Sequence, residues 1–356
     1  MQTIRRVPVV SLNGLPLMPT KPSKAKKLLT SGKATQHWSD LGVFYIKLTF
    51  ATATEHVQPI VIGIDPGKLF TGIAVQSKLA TLLQTHTVLP FPVVKKRMEQ
   101  RAILRRTRRG RRVGKNRIYA LRAHRQCRFS NRRSTKIPPS IKANKLLELR
   151  IVRELLKTYP VVEIVVEYMT GTGKGFTPVA VAQTWLIGEL EQLVDKVSTK
   201  LGWETSNLRQ YLGLVKVHDK KLQVVETHAV DAIALACTYW KKYVRIEGTT
   251  YSGKDWTGDV QVTESVFKIV QRPKFSRRQL CLNNATKGGI YKKYGGSVLS
   301  NGRRKGDLVK YKDMVGYVSG ETGKTVSISD GNWKRIVQAA ATKVNLIRRN
   351  VGLCVI

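Results

Sequence analysis

The distribution of apolar and polar positions predicts a mixed α/β core in the middle of the chain. Residues 60–64 form an unbroken apolar run, which is typical of a strand covered on both faces at the centre of a sheet. Residues 72–76 and 81–88 follow after short connections, so the three segments predict an antiparallel meander. Residues 141–159 have apolar positions at helical spacing, and residues 161–167 then indicate a second central strand. A helix that leads into a strand favours parallel pairing with the first strand.

The pattern continues with two more helices and one more strand. Residues 179–201 carry apolar positions at helical spacing and predict a helix, and residues 203–208 predict a last strand. Residues 226–236 predict a further helix with Thr227 as its N-cap, and the alanines in it would let the helix approach a sheet closely. Together these elements predict a mixed sheet with flanking helices.

Both ends of the chain predict small modules. Near the N-terminus, residues 7–12 alternate like a strand and end at the Asn-Gly pair 13–14, a strong hairpin signal. A basic helix over residues 24–30 follows, which we expect Ser23 to cap and Gly32 to end. Near the C-terminus, short strands predict a small β-barrel or sheet. These strands span residues 306–311, 315–320, 325–328 and 344–347.

Changes in composition divide the chain into five predicted segments. The third is dominated by arginine, and the fifth is rich in loops and strands. We therefore expect the second and fourth segments to build the α/β core together. The segments are residues 1–55, 56–92, 93–137, 138–245 and 246–356.

The net charge indicates a polyanionic partner. The chain has 63 Lys and Arg residues against 23 acidic ones, a formal charge of +40 over 356 residues. Self-repulsion of this size opposes a compact state unless a counter-charge is bound, and nucleic acid is the obvious source. A membrane surface is the weaker alternative, and since no apolar run of 18 residues is present we expect no spanning helix.

Two further features indicate a cytoplasmic protein. The N-terminus lacks the apolar stretch of a secretory signal, so we expect no secretion, and with nucleic acid as the counter-charge we expect no membrane partner. The cysteines are scattered without a Cys-x-x-Cys pair, which argues against a zinc site or a disulfide framework and fits a reducing compartment. They are Cys127, Cys237, Cys281 and Cys354.

An arginine-rich stretch between residues 95 and 133 is the strongest candidate for nucleic-acid binding. It holds 17 Lys and Arg residues, and Glu99 is its single acid. A helix that is basic all round has no apolar stripe to pack on a core, so a solvated arm is the alternative. Arginine binds phosphate bidentately and stacks on bases, so we expect a helix ordered by nucleic acid. The candidate residues are Arg101, Arg105, Arg106, Arg108, Arg109, Arg111, Arg112, Lys115 and Arg117.

A second basic group precedes the C-terminal strands. Its residues lie in a loop-rich region with tyrosines between them, and charge alone favours DNA contact over a generic small barrel. The candidates are Arg277, Arg278, Lys292 and Lys293.

Acidic side chains stand at the ends of the predicted core elements. Asp65 follows the first strand, Glu167 ends the parallel strand, and His228 and Asp231 share one face of the last helix. Taken singly, Asp65 is typical of a turn, and the His-x-x-Asp pair is typical of a surface contact. Three carboxylates from two adjacent strands and a helix, however, make a hard-oxygen cluster suited to Mg²⁺.

These motifs together resemble the transposon-encoded, RNA-guided RuvC-like nucleases of the IscB family and its smaller relative IsrB. The likeness runs nearly end to end, and it is specific because the motifs occur in the same order as in the family. They are the PLMP tetrapeptide 16–19, a first RuvC motif at 62–67, a bridge helix at 101–117, a second RuvC motif at 165–167 and a third at 228–232.

One departure selects between the two relatives. IscB carries an HNH nuclease between the second and third RuvC motifs, but only 60 residues separate Glu167 from His228 here. His218 is the sole histidine among them, and an HNH site needs paired histidines. The chain is therefore more similar to IsrB, and a single active site implies a nick in one strand.

The resemblance implies an RNase H-like fold and a two-metal site. Asp65 would bridge two Mg²⁺ ions, for which Mn²⁺ is a possible substitute, and Glu167 and Asp231 would be terminal ligands. His228 would orient or deprotonate the attacking water or bind one metal, and the sequence does not separate these roles.

The resemblance also implies the partners and the reaction. A large structured guide RNA, the omega RNA of OMEGA systems, would bind one protein and pair with one strand of double-stranded DNA. The C-terminal barrel would read a short motif next to the target, and the RuvC site would nick the displaced strand. Two alternatives stay open: a Holliday-junction-resolvase-like nuclease and a non-catalytic RNA-binding protein.

Overall fold

The computed structural model describes most of the chain in two compact units. The first unit is Met1–Gln36 with Tyr45–Phe267, and the second is His37–Phe44 with Lys268–Ile356. Each is described below by itself. The described residues are 5–52, 57–112, 118, 120, 137–169, 178–245, 254–274, 299 and 301–356.

The N-terminal residues 7–48 form a small four-stranded sheet with one helix. The predicted hairpin is confirmed, because the first two strands pair antiparallel across Gly14, whose φ is +87°. The helix begins with Pro22 after Lys21, so the expected cap at Ser23 is wrong, and it ends before Gly32, whose φ is +69°. The elements are β1 (Val7–Val10), β2 (Pro16–Thr20), α1 (Pro22–Thr30), β3 (Ala34–Trp38) and β4 (Phe44–Leu48), in the order β2-β1-β4-β3.

The centre of the first unit is a mixed sheet whose middle strand is the apolar run that the sequence singled out. Five neighbouring strands lie in the order β7-β6-β5-β8-β9. β6 pairs antiparallel with both β5 and β7, while β8 pairs parallel with β5 and β9 parallel with β8. This order, with an antiparallel second strand, is that of RNase H-like folds, so the predicted fold class is confirmed. The strands are β5 (Ile60–Pro66), β6 (Phe70–Ser77), β7 (Thr81–Val88), β8 (Val161–Tyr168) and β9 (Val197–Leu201).

Helices flank this sheet, and two predictions about them are wrong. The helix expected over residues 179–201 ends at Glu191, and its last part is strand β9; the strand expected over 203–208 is a helix. That helix starts where the Glu204 carboxylate accepts a hydrogen bond from the backbone N–H of Leu201, at 2.9 Å. The helices are α2 (Phe91–Arg112), α3 (Pro139–Leu156), α4 (Pro178–Glu191), α5 (Gly202–Tyr211) and α6 (Val225–Cys237).

The last helix of this unit begins without the expected side-chain cap. α6 starts after Val224, and the hydroxyl of Thr227 donates a hydrogen bond back to the Val224 carbonyl at 2.8 Å. Thr227 is therefore inside the first turn, and its prediction as the N-cap is wrong. Every residue from Thr227 to Cys237 is buried, because this helix packs on β5, β6 and β7.

The arginine-rich stretch is helical as far as Arg112, the last described residue before a gap. Its first half packs against α3, with Val94 and Met98 half-buried, so the expectation that it has no face for packing is wrong there. From Glu99 to Arg108 the side chains are exposed almost all round, and Ile103 is 60% exposed. This exposed part keeps its charge available to a partner.

A β-hairpin lies near the C-terminal end of the first unit, and an antiparallel sheet dominates the second. The hairpin is β10 (Lys242–Arg245) with β11 (Lys254–Thr257). In the second unit five strands lie in the order β16-β15-β14-β13-β17 around a core that includes Val309, Val318 and Ile328. The strands of that unit are β12 (Val266–Gln271), β13 (Leu308–Tyr311), β14 (Met314–Glu321), β15 (Thr325–Ser329), β16 (Arg335–Ala340), β17 (Asn345–Arg348) and β18 (Cys354–Val355).

The four predicted C-terminal strands are present as β13, β14, β15 and β17, and β16 was missed. Its side chains are mostly exposed, so it lacks the buried alternation that identifies a strand. Of the cysteines, Cys237 and Cys354 are described, and both are buried free thiols. Among the described residues, no helix is long and apolar enough to cross a membrane.

Candidate functional site

The carboxylates of Asp65 and Glu167 meet because their strands are parallel neighbours in register. Gly63 lies opposite Val165 and Ile64 opposite Val166, so the next residue of each strand is the acid. The two side chains share a hydrogen bond at the carboxyl edge of the sheet. Strand pairing alone thus brings together two of the four residues that the sequence selected.

Two glycines let helix α6 lie close to the sheet and deliver the other two residues. A Cβ at Gly63 would overlap the carbonyl oxygen of Ala232 and lie 2.7 Å from the backbone nitrogen of Ala236. A Cβ at Gly72 would overlap the carbonyl oxygen of His228. Any larger residue at either position would push the helix outward. Backbone contact between helix and sheet therefore sets the position of the His-x-x-Asp pair.

His228 contacts Asp65 directly. Its Nδ1 lies 3.1 Å from Asp65 Oδ2, and the two side chains are 9% and 14% exposed. Burial acts to raise the pKa of Asp65, but the hydrogen bonds from His228 and Glu167 and the nearby charges of His228 and Lys216 outweigh it, so the pKa is lowered. Asp65 is accordingly the ionised member of the cluster.

Glu167 has the opposite character. Burial, the hydrogen bond to Asp65 and the negative charges of Asp65 and Asp231 raise its pKa to about 8. Its strand end is held by Gln183 of α4, whose amide donates to the Glu167 carbonyl at 2.6 Å. Near neutral pH, Glu167 therefore keeps its proton and shares it with Asp65.

Asp231 is held by two cations that the sequence did not identify as site residues. Lys216 forms an ion pair with Oδ2, and Arg209 Nε lies 3.0 Å from Oδ1. Burial still raises the pKa of Asp231, against the hydrogen bond from Lys216. Lys216 lies in the connection between α5 and α6, where no pattern marks a functional residue, and Arg209 lies on the helix that was predicted to be a strand.

A second histidine packs against His228 and was also missed. His86 on β7 is fully buried, and its ring centroid is 5.5 Å from that of His228. The Thr227 hydroxyl already donates to Val224, so His86 Nδ1–H donates to it at 3.1 Å. Burial and the charge of His228 lower the pKa of His86 to about 4, which keeps it neutral. A single histidine in a buried strand gives no sequence signal of such a role.

The donor chemistry of the cluster fits a divalent cation. Burial, together with the neighbouring carboxylates of Asp65 and Asp231, raises the pKa of Glu167 so that it retains a proton, and a bound cation would offset both effects. The Nε2 atom of His228 is buried without a hydrogen-bond partner in the described structure. As the side chains stand, no three His, Cys, Asp or Glu residues among the described ones are arranged to hold a metal. Asp231 is instead paired with Lys216 and Arg209.

Because of Glu167, we expect the metal-free protein to lose stability as the pH rises. EDTA keeps the site free of metal in this experiment. Its folded pKa of about 8 exceeds the ordinary value of 4.5, so its contribution to stability is complete below about 4.5 and is lost as the pH rises through about 8. The melting temperature of the wild type should therefore fall relative to that of Glu167→Gln across this window. The lowered pKa of Asp65 acts at lower pH, below its ordinary value of 3.8.

The matched control is Glu191→Gln, which removes an exposed glutamate at the end of α4. Its melting curve should follow that of the wild type at every pH. Parallel curves for the wild type and Glu167→Gln between about pH 5 and pH 8 would contradict the assignment.

The structure describes only some of the candidate nucleic-acid-binding residues. Arg101, Arg105, Arg106 and Arg108 are exposed on the part of α2 that follows its packed first half. Arg109, Arg111 and Arg112 belong to the last turn of the same helix. The remaining candidates lie outside the described residues; they are Lys115, Arg117, Arg277, Arg278, Lys292 and Lys293.

Comparisons with known proteins agree with these observations. Residues 7–171, just under half of the chain, match the profile of a family described as RRXRR protein. The pattern Arg-Arg-x-Arg-Arg occurs in α2 at residues 105–109 and again at 108–112. No curated protein matches the chain.

Two solved structures of RuvC from Thermus thermophilus are similar to part of the chain. One, in complex with a Holliday junction substrate, is 18% identical, covers 51% of this chain and 92% of its own, and has a TM-score of 0.25. The other is 16% identical, covers 50% and 92%, and has a TM-score of 0.24. The RNase H-like fold of this chain is established by the strand order of its own sheet.

Proposed function

We propose that this protein is a metal-dependent, RNA-guided DNA endonuclease of the IsrB type that nicks the displaced strand of its target. The observation that carries the nuclease assignment is that Asp65, Glu167, His228 and Asp231 lie near one another in one partly buried cluster. They come from two strands and one helix that are far apart in sequence. Four residues selected by their type and spacing have little reason to converge unless the cluster has a chemical role.

Each residue of the cluster has a part in the proposed reaction. Asp65, Glu167 and Asp231 would hold Mg²⁺ or Mn²⁺, which when bound supplies an activated water and stabilises the leaving oxygen. His228 fixes the Asp65 carboxylate through its Nδ1 contact. Glu167 gives up its raised-pKa proton when the cation is bound, so cation binding should strengthen with pH.

Charge and exposure support a nucleic-acid partner. Helix α2 presents exposed arginines beyond its packed half, within a chain of net charge +40. A row of exposed arginines favours contact with the phosphates of RNA or DNA, and an enzyme that acts on a small molecule does not require one. The guide RNA is proposed from the resemblance of the motif order to the IscB and IsrB families, and one RNA is proposed per protein.

The spacing between the second and third motifs supports a single cut. In the described part of this interval, helix α4, strand β9 and helix α5 belong to the α/β core. The described part of the interval, residues 178–227, thus contributes to the sheet and its flanking helices rather than to a second nuclease domain. One such site acts on one scissile phosphate, so the proposed product is a nicked duplex.

The test combines RNA sequencing with a plasmid assay. The protein is expressed with its flanking DNA, the RNA that co-purifies is sequenced, and the complex is given a supercoiled plasmid that carries the matching target. We expect open-circular product that requires RNA and Mg²⁺, and shortening only of an end-labelled non-target strand. Linear plasmid at early times or a shortened target strand would contradict the proposal. Cleavage of a four-way junction without RNA would favour a resolvase instead.

The exposed arginines of α2 are expected to contribute to RNA affinity through phosphate contacts. The double variant Arg105→Gln/Arg106→Gln should weaken RNA binding and flatten the dependence of log K on log salt by ~1.5, since each lost phosphate contact removes about 0.7–0.9. Filter binding over a salt series measures both effects. The control is Lys220→Gln/Lys221→Gln, which removes two exposed lysines outside this helix. Equal salt slopes for both double variants would contradict a specific role of α2.

A further inference from the structure

We propose that a groove beside the carboxylate cluster binds the nucleotide that flanks the scissile phosphate, in the single DNA strand that is cut. The inference rests on the proposed nuclease function and adds a binding subsite to it. The aromatic floor of the groove stacks on the base, and its lysines pair with the phosphates of the strand. Recognition of this kind tolerates any base, which suits an enzyme whose target is chosen by RNA pairing.

The groove lies between the turn that follows β5 and the beginning of α2. Its volume is about 520 Å³, within the range of pockets that hold small ligands, so it has room for one nucleotide. β7 ends beside the start of β6, and β6 starts beside the end of β5. The beginning of α2 therefore lies at the same edge of the sheet as Asp65. The residues that line the groove include Lys68, Leu69, Phe91, Lys95 and Lys96.

The chain itself limits the distance between the groove and the proposed metal site. Lys68 is three residues after Asp65, so their Cα atoms are at most about 11 Å apart. Leu69 lines the groove, while the ring of the next residue, Phe70, packs 5.7 Å from that of His228. A strand whose scissile phosphate lies at Asp65 therefore has the nucleotides next to the cut within reach of the groove.

Two hydrogen bonds hold the turn that forms one wall of the groove. The amide of Asn144 on α3, which is 2% exposed, donates to the carbonyl oxygen of Lys68 at 2.9 Å. The backbone N–H of Leu89 donates to the carbonyl oxygen of Leu69, also at 2.9 Å. Both bonds use the backbone of the turn and leave the exposed side chains of Lys68 and Leu69 to line the groove. The wall is thus fixed before a ligand binds.

The groove combines an aromatic ring with cations, as sites for single-stranded nucleic acid do. Lys68 Nζ lies 5.0 Å from the centroid of the Phe91 ring, so one face of this ring is open to the groove. A base that stacks on this face replaces the ammonium group, which can then pair with a phosphate. Lys95 and Lys96 add two positive charges, and Glu99 lies 4.0 Å from Lys95 in a weak pair of exposed side chains. Three lysines against one glutamate favour an anionic strand.

The closeness of Asp65 favours the DNA strand that is cut over the guide RNA. An RNA held in the groove would occupy the approach to the carboxylate cluster and would compete there with the scissile strand. We therefore assign the groove to DNA, and RNA affinity is measured in the experiment below to test this choice.

An abasic scan of the cut strand tests the inference. The protein–RNA complex is given targets in which one nucleotide of the non-target strand lacks its base, at successive positions on both sides of the cut. In the wild type we expect single-turnover nicking to be slowed about tenfold at one position next to the cut, the effect of one lost stacking contact. Positions farther from the cut should have no such effect.

Two variants separate the contact with the base from the contact with the phosphate. Phe91→Ala removes the floor, so it should nick the intact target more slowly and should no longer respond to the missing base. Lys68→Gln removes a phosphate contact, so it should slow the intact and abasic targets equally. The matched controls are Phe50→Ala, at a phenylalanine that is 41% exposed, and Lys78→Gln, at an exposed lysine in the turn after β6. Both should give the wild-type profile.

The outcomes separate the groove from the proposed function. A wild-type rate that is the same for every abasic position would overturn the groove whether or not any variant folds. An abasic effect in Phe91→Ala as large as that in the wild type would overturn it as well. RNA affinity lowered by Lys68→Gln but not by Lys78→Gln would assign the groove to RNA instead. If the wild-type complex cuts no unmodified DNA strand, the proposed function itself fails, and this inference fails with it.

Discussion

Asp65→Asn should reduce DNA nicking by on the order of 10³-fold or more while leaving the fold and RNA binding intact. Asp65 contacts both His228 and Glu167, and its lowered pKa makes it the ionised carboxylate of the cluster. Asparagine has the same shape but lacks the negative charge that holds a divalent cation, whose electrostatic stabilisation of the transition state amounts to several kcal/mol. Single-turnover nicking of a labelled target measures the loss.

The matched control is Asp259→Asn, which removes the charge of an exposed aspartate in the same structural unit. It should nick at the wild-type rate. RNA affinity and the melting temperature are measured for both variants, so that a loss of activity cannot be assigned to unfolding. Nicking by Asp65→Asn within tenfold of the wild type would sink the assignment of the site.

Gly63→Ala should destabilise the protein by roughly 3 kcal/mol or more, although it adds only one methyl group. The new Cβ would overlap the Ala232 carbonyl and crowd the Ala236 nitrogen, and both are backbone atoms that no rotamer change can move. Helix α6 would have to shift away from β5, which costs more than ordinary overpacking in a side-chain core. Chemical denaturation measures the loss of stability.

The variant should also lose nicking activity at temperatures where it is still folded, since the shift of α6 carries Asp231 and His228 away from Asp65. Gly188→Ala is the control, because a Cβ at Gly188 in α4 has no atom within 4 Å. It should be neutral or stabilising by up to about 1 kcal/mol, as expected for Gly to Ala within a helix. Equal stabilities of the two variants would show that α6 does not depend on close approach at Gly63.

Much of the core could be predicted because local pattern and tertiary environment agree there. Residues 60–64 have no polar position, and only a strand between two neighbours buries them all, which is where β5 lies. Once β5 and β8 are parallel, the acids that follow them have to meet at one edge of the sheet. The contact between Asp65 and Glu167 could therefore be predicted from the sequence alone.

Where local pattern is ambiguous, the prediction was wrong. Residues 197–201 continue an apolar spacing that fits a helix, but β8 offers an open edge, and pairing with it makes them β9. Residues 203–208 include Trp203 and Thr205, which are common in strands, yet the hydrogen bond from Leu201 to Glu204 starts α5 instead. The secondary structure of such short segments depends on which neighbouring strand or capping group is available.

The sequence by itself determined the sheet's central strands, the four residues Asp65, Glu167, His228 and Asp231, and a charge that calls for a polyanion. Only the tertiary structure decided what surrounds those residues. Lys216 and His86 reach the cluster from a loop and from a buried strand. The physical reason is that periodicity reports which face of an element is buried, whereas a contact between elements depends on register and on how closely their backbones approach. In this protein, Gly63 and Gly72 allow the backbone of α6 to lie close to the sheet, because neither has a Cβ that would overlap it.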